Sequence, residues 1–566
     1  MKFFISFLLI FTLFNISTLY AQDSSPAPKL ILQITVDQLR GDLPKRYMSN
    51  MSEGGFKYLY NDGIVYEDAH HAHSNTETVV GHTTLATEAY PSVHGLIGNV
   101  WYDRTTHALT YNIEDYRYPL LSAGADVDKS TEIDPTQKTA RTDGRSPANI
   151  LVSTFSDELS MNTNKKAKVF AVSVKDRGSV SMAGHAGKAF WFSKAKGEFI
   201  TSSFYYDKYP KWVEKFNESK PTSKYSNTSW ELLFPSSTYL FGAKDNQEWE
   251  TSFAKFGRTF PHPYGNSNGK YFTTLLTLSP AGDEMTLDFT KELIANEKIG
   301  ADDVTDYLSV SFSSTDYVGH LFSPSSLEAE DNLLRLDKTL EKLLAFVDKR
   351  VGLENTLIVL SADHGGPDAP GQVNEYGIEA NYVDVNVWDK TEAITRLKKE
   401  FGLDKELIQA FNPPYIYLNQ KLIKENNLEL SRVERAVADE LKKFKGVSCA
   451  VSSSDLMDGK VANTQNMRLI LNSHNTKRSG NIFLLFEPNW FINDFDGLRV
   501  ASTHGSLWTY DTFVPVIFAG HGLKAQKVYT KIQTVDVART LSAYVNVKPP
   551  SGANGNILTE VLEGKK

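Results

Sequence analysis

The sequence predicts an α/β fold, a three-layer sandwich in which a mostly parallel central sheet carries helices on both faces and has cap segments inserted into it. Three observations support this. Short apolar runs of strand length recur along the chain, polar and reactive residues follow several of them, and helical patterns lie between them. Strands buried on both faces read as continuous apolar runs, and the ligands of such a sheet gather beyond the carboxyl ends of its strands.

The first run, Lys29 to Val36 (KLILQITV), ends at Asp37. Lys168 to Val174 leads to Lys175, Tyr307 to Phe312 leads to Asp316, and Thr356 to Leu360 leads to Asp363. Between these runs the clearest helix spans Leu327 to Val351, with Leu333, Leu336, Leu340, Leu343, Leu344 and Val347 on one face. Ser325 and Glu328 read as its capping box and Gly352 as its stop. Ser431 to Phe444 is a second helical pattern. Two stretches break the rhythm, about 197–283, rich in aromatic, Ser, Asn and Pro residues, and about 371–494. Both read as insertions in one catalytic domain over 22–566, because the candidate ligands fall on either side of each.

The first residues, with Lys2, an apolar run from Phe3 to Phe14 and Ala21, read as a secretory signal peptide over 1–21. The run is shorter than the roughly 20 residues that a membrane span needs. A soluble monomer without a stable membrane anchor, periplasmic or secreted, is the expectation. Cys449 is the single cysteine, so no intrachain disulfide can form, and stability must come from a large core or bound metal. A formal charge of −8 without a Lys/Arg-rich block argues against nucleic acid as a partner.

Asp37, Asp316, His320, Asp363, His364 and His504 supply oxygen and imidazole donors for two divalent ions, each at a strand-to-loop junction. In Asp316-x-x-x-His320 the spacing of four puts both side chains on one helical face. Asp363 and His364 are adjacent ligands in a sharp turn that Gly365 permits. Such a pair of ions points to phosphoryl chemistry with an alcohol nucleophile, because a threonine hydroxyl attacks phosphorus usefully only when a metal activates it. Thr78 and Thr76 both stand in the right stretch. Lys175 and Arg177, two apart at a strand end, are expected to leave on one face while Asp176 leaves on the other. Two cations there favour a phosphate monoester, a dianion with three non-bridging oxygens, over a diester. Asn99 adds a neutral donor. His70, His71 and His73 read as a loop near the mouth of the site, and no motif reads a particular leaving group.

Seven stretches together resemble the alkaline phosphatase superfamily, in particular the flavobacterial phosphate-irrepressible alkaline phosphatases. They are Ile34 to Asp37, Asn75 to His82, Tyr90 to Asn99, Lys175 to Gly178, Thr315 to His320, Ala362 to Gly365 and Thr503 to Gly505. The resemblance implies two Zn²⁺ per chain, one held by Asp316, His320 and His504 and the other by Asp37, Asp363, His364 and the oxygen of Thr78. It selects Thr78, four residues before His82, as nucleophile, gives His82 a supporting role, and assigns Asn99, Lys175 and Arg177 to the phosphoryl oxygens. It also puts Lys175 where some relatives bind a third metal ion. The expected activity is hydrolysis of phosphate monoesters through a phosphothreonine. The alternatives are a nucleotide pyrophosphatase or phosphodiesterase of the same superfamily and a non-catalytic zinc- or phosphate-binding protein.

Overall fold

The computed structural model describes residues 26–383 and 388–564. The expected leader at 1–21 lies outside them. Thirteen strands make the two main sheets, in chain order β1 Leu30–Val36, β2 Ile64–Tyr66, β3 Val169–Ser173, β4 Lys188–Ser193, β5 Glu198–Ile200, β6 Asp306–Phe312, β7 Thr356–Ser361, β8 Ile408–Asn412, β9 Tyr415–Leu418, β10 Val447–Ser452, β11 Ile482–Phe486, β12 Val516–Gly520 and β13 Gln526–Val528. The central sheet runs β13-β2-β12-β7-β1-β6-β3-β4-β5. Its middle strands β7, β1, β6, β3 and β4 pair in parallel, while β12 and β5 run the other way.

Every residue of β1, β6 and β7 is buried, as continuous apolar runs demand. The residues facing opposite ways join different cores. Leu30, Leu32, Ile34 and Val36 pack in one with the helices Pro280–Glu297 and Leu327–Arg350, while Ile31 belongs to the other, with residues of Thr78–Thr87, Asp176–Ala183 and Asp536–Tyr544. That is the expected three-layer sandwich. At the carboxyl edge Ser361, Thr35, Ser311 and Ser173 stand in register across β7, β1, β6 and β3. The small hydroxyl residues mark the level at which the apolar sheet gives way to polar chemistry.

The long helix occupies Leu327–Arg350 and ends at Gly352, whose amide bonds back to Asp348. Its cap differs from the expected one. Ser326, not Ser325, accepts from the amide of Ala329, and Glu328 is buried instead of bonding back to the cap. The two irregular stretches behave differently. Aromatic residues of 197–283, including Trp230, Tyr239 and Phe256, join the main core, whereas β8 to β11 form a four-stranded antiparallel sheet with a core of its own.

A second buried acidic cluster lies where 245–262 meets the long helix. Glu328, Glu250 and His262 are all buried, and His262 Nε2 is 3.3 Å from Glu328 Oε1. Trp230, Phe256, Phe260 and Phe322 surround the histidine ring. Burial pushes Glu328 well above the carboxylate range, and burial with Glu328 nearby lifts Glu250 to about 9. Burial also holds His262 down to about 4.

Candidate active site

The expected ligands converge at the carboxyl edge of the central sheet, as each strand end predicts. Asp37 follows β1 directly, and Asp363 stands two residues past β7. Asp316 and His320 lie one turn apart on the helix Ser314–Phe322 that follows β6, so the spacing of four does bring them together, His320 Nε2 to Asp316 Oδ1 at 3.2 Å. His504 Nε2 reaches the same Asp316 oxygen at 3.3 Å. His364 Nε2 lies 3.4 Å from Asp37 Oδ1 and 3.5 Å from Asp363 Oδ2, and its ring stacks on that of His504 at 3.6 Å.

Among the described residues, two groups of side chains could each hold a metal ion, Asp37 with Asp363 and His364, and Asp316 with His364 and His504. The donors fit that use. Each histidine spends Nδ1 on a backbone carbonyl, His320 on Ser502 at 2.8 Å, His364 on Gly365 at 2.9 Å and His504 on Thr76 at 2.7 Å. Their Nε2 atoms are thereby turned to the carboxylates, the arrangement that fixes an imidazole as a ligand. Asp37 Oδ1, Asp363 Oδ2 and His364 Nε2 are buried without a hydrogen-bond partner, a costly state for a donor-rich cluster unless a cation is shared.

The electrostatics agree. Burial opposes the charge on Asp37 and Asp316, but Lys175 for the first, and His320 with Lys175 for the second, hold both carboxyls below the usual range. Burial would likewise keep His364 neutral, yet Asp363 and Asp37 raise it to about 9, while burial and the neighbouring His364 press His504 down to about 3. Three carboxylates so close together select for positive charge.

Thr78 is the first residue of the helix Thr78–Thr87, whose N-terminal amides and dipole favour an anion beside its hydroxyl. Gly81 lets that helix lie directly on the Asp363 backbone, since any side chain there would collide with the Asp363 carbonyl. Thr76 is otherwise engaged, its hydroxyl donating to the Ser506 carbonyl at 2.7 Å. His82 is fully buried, with Nδ1 2.8 Å from the Thr78 carbonyl and 3.1 Å from Asp363 Oδ2, and Nε2 2.9 Å from Ser311 Oγ.

Arg177 Nη2 donates to Thr78 Oγ1 at 3.3 Å, and Asp134 holds its other arm at 2.9 Å. Asn99 Oδ1 accepts from the amide of Val79 at 3.1 Å, which leaves the Asn99 amino group as the donor available to a ligand. Lys175 is completely enclosed, its Nζ 2.7 Å from Asp37 Oδ2 and in contact with Asp316 Oδ2. The reason the pair comes together differs from strand alternation. β3 ends at Ser173, Lys175 precedes the helix Asp176–Ala183, and Arg177 stands in its first turn. Asp176 turns instead to Tyr111 and Arg145. His71 and His73 are also placed otherwise than expected. They are buried behind the site, His71 Nε2 bonded to the Ala362 carbonyl, and only His70 is partly exposed.

Sequence reasoning missed several groups. Gln38 donates its backbone amide to Asp363 Oδ1 at 3.1 Å and its side-chain amide to Asp316 Oδ1 at 3.0 Å, straddling both ligand groups from a left-handed backbone conformation (φ 63°). A non-glycine residue at positive φ is disfavoured, and it persists here where two carboxylates tether it. Glu77 accepts from the amide of Asn99, and Asp134 braces Arg177. The positive φ is a property of the turn, and no local pattern announces it.

Comparison with known proteins places this geometry. Residues 31–507 match the family model described as type I phosphodiesterase / nucleotide pyrophosphatase. The chain is 34% identical over 541 residues to alkaline phosphatase PafA of Elizabethkingia meningoseptica, covering 95% of each chain. The chain belongs to the alkaline phosphatase superfamily. It is also 34% identical over 547 residues to a Myroides odoratus protein that bears the name calcium-transporting ATPase, covering 96% of each. The solved wild-type PafA structure superposes with a TM-score of 0.85 at 33% identity, covering 95% of this chain and 100% of that one. A solved PafA variant, with a threonine changed to serine and an asparagine, a lysine and an arginine changed to alanine, gives the same TM-score at 32% identity, covering 95% and 100%. The superfamily's sandwich is therefore this chain's fold, and the two possible metal groups stand at its carboxyl edge. No helix among the described residues is long and apolar enough to cross a membrane.

Proposed function

We propose that the chain hydrolyses phosphate monoesters to an alcohol and inorganic phosphate, with Thr78 as nucleophile and two Zn²⁺ as cofactors. The observation that carries the reading is Arg177 bonded to the Thr78 hydroxyl beside two ligand groups. Asp316, His320 and His504 would hold one ion, and Asp37, Asp363, His364 and Thr78 the other. Bound there, the ions supply Lewis acidity that lowers the pKa of the threonine hydroxyl and offsets charge on the departing oxygen.

Thr78 Oγ1 attacks phosphorus as the bond to the leaving alcohol breaks, giving a phosphothreonine. Water then attacks the same phosphorus, breaks the bond to Oγ1, and releases phosphate. Arg177 and Asn99 donate to the non-bridging oxygens, where charge accumulates in a loose transition state. Lys175 balances Asp37 and Asp316 from behind, keeping the floor of the site from repelling a dianion. His82 and Gln38 hold ligand carboxylates in place.

The family description favours a second reading, a phosphodiesterase or nucleotide pyrophosphatase. Arg177 on the floor of the cavity supports the monoester, which has one more unesterified oxygen and one more charge to satisfy, and Lys175 adds to this only by offsetting Asp37 and Asp316 behind it. PafA, whose solved variant alters the same four residue types, carries a phosphatase name. The test is hydrolysis of an aryl phosphate against its bis-aryl diester, with and without chelator, alongside metal analysis. Faster diester turnover would replace the reading with the second. No turnover of either ester by the zinc-bearing chain would leave a binding protein. Export remains part of the proposal and is tested by fractionation and by sequencing the mature amino terminus.

A further inference from the structure

The cavity above Thr78 is about 430 Å³, far larger than a phosphoryl group requires and in the range that accommodates an organic ligand. Its floor is Thr78, Asn99, Arg177, Asp316, His320 and His504. Its far wall is of another character. Phe411, Pro414, Phe486, Trp490, Phe491 and Phe495 line it, all drawn from the region of the second sheet and the segment that follows. Phe411, Phe486, Trp490 and Phe495 are only half-buried, so large apolar faces remain open to whatever enters.

Hydrogen bonds tie this wall to both flanks of the phosphoryl site. Asn412 Nδ2 donates to the carbonyl of Val100, next to Asn99, at 2.7 Å. Trp508 Nε1 donates to the Phe486 carbonyl at 3.1 Å, and the Asn489 amide donates to Tyr510 Oη at 3.0 Å, binding the wall to the loop that carries His504. Phe495 stands edge-on to His320 with ring centroids 4.9 Å apart. Arg177 is the one arginine or lysine among the described lining residues, whereas Asp134 and Asp494 are acidic, and Glu77 and Asp511, which burial lifts to about 7, add negative charge at alkaline pH. A leaving group with its own negative charge finds no further cation there.

We propose that this aromatic wall is a leaving-group subsite that favours phosphate monoesters of flat, uncharged, ring-bearing alcohols over esters of small or anionic alcohols. The proposal rests on the phosphatase reading of the same site and adds the part of the substrate that the phosphoryl-binding residues do not touch. An aromatic ring buries apolar area against such faces and gains edge or offset contacts with them, and an anion next to the acidic lining is repelled.

The test compares kcat/KM of the zinc-supplemented full chain for benzyl phosphate, ethyl phosphate and phosphoglycolate, whose leaving group bears a carboxylate. Benzyl phosphate is expected to lead ethyl phosphate by about tenfold, with phosphoglycolate slowest. Phe486→Ala and, separately, Phe411→Ala should lower the benzyl value by about tenfold and change the ethyl value by less than about twofold. Equal losses for all three esters, or no loss in either variant, overturn the proposal. Affinities of benzylphosphonate and ethylphosphonate, measured by calorimetry, separate the two readings. If no ester turns over, the phosphatase reading fails, and the subsite still stands or falls on whether the benzyl ligand binds more tightly and loses that advantage in the variants.

Discussion

The buried acids at the carboxyl edge of the sheet and those against the long helix meet burial in opposite ways. At the carboxyl edge of the sheet, Asp37, Asp316 and Asp363 sit among Lys175, His320, His364 and His504, and two of the three carboxyls are held ionised. Against the long helix, Glu250 and Glu328 have one neutral histidine and a ring of aromatic side chains, and burial keeps their protons on. Equal burial therefore does not mean equal charge. The partners decide, and of these two clusters only the one furnished with imidazoles and a lysine keeps carboxylates charged.

The largest effect is expected from Thr78→Ala, which should lower steady-state aryl phosphate turnover by about 10⁴-fold or more while leaving the apo chain's thermal unfolding close to wild type. Unchanged turnover would remove Thr78 from the mechanism. Arg177→Ala should cost roughly 10² to 10³ in kcat/KM for the monoester and much less for a diester, narrowing the ratio between them. An equal loss on both esters would give Arg177 a structural role only.

Chelation should abolish turnover and lower the melting temperature, because ions that bind only the folded chain stabilise it, by about 4 kcal/mol at a thousandfold excess over Kd. The Glu250 cluster should not respond to chelator. A Glu250→Gln variant with an undiminished melting shift on metal removal would show the two clusters to be independent.

The smallest effect concerns that second cluster and pH. A carboxyl whose folded pKa lies above its unfolded value of 4.5 keeps its proton in the native state while the unfolded chain gives it up, so native stability falls as pH rises through that interval. For Glu250 the interval runs from 4.5 to about 9. Glu250→Gln should therefore raise the melting temperature at pH 9 more than at pH 5, by roughly 1 to 3 kcal/mol in stability. A shift independent of pH would mean that Glu250 is ionised in the fold.

What was legible in the sequence follows from where the information is local. An apolar run ending in an acid announces a buried strand and a residue at its carboxyl edge, so Asp37, Asp316 and Asp363 could be placed before any coordinates. The motif from Asn75 to His82 located Thr78 by resemblance. Errors arose where one residue of register matters. Ser326 rather than Ser325 caps the long helix, and β3 stops two residues before Lys175, so a helix start and not strand alternation orients Arg177. Other features were invisible because they depend on distant segments. Gln38 bonds to residues about three hundred positions away, Asp134 braces Arg177 across 43 residues of chain, and the strands β8 to β11 are short and interleaved with stronger helical patterns.

Gln38 also constrains how this protein can change. Its one side chain and one amide hold carboxylates delivered by two different strands, from a turn geometry that most residues resist. The halves of the centre are thus strapped together by a residue that donates to both and belongs to neither. Evolution, or a designer, would have to retune them jointly, and a substitution at this position is expected to disturb both halves at once while every ligand remains in the sequence.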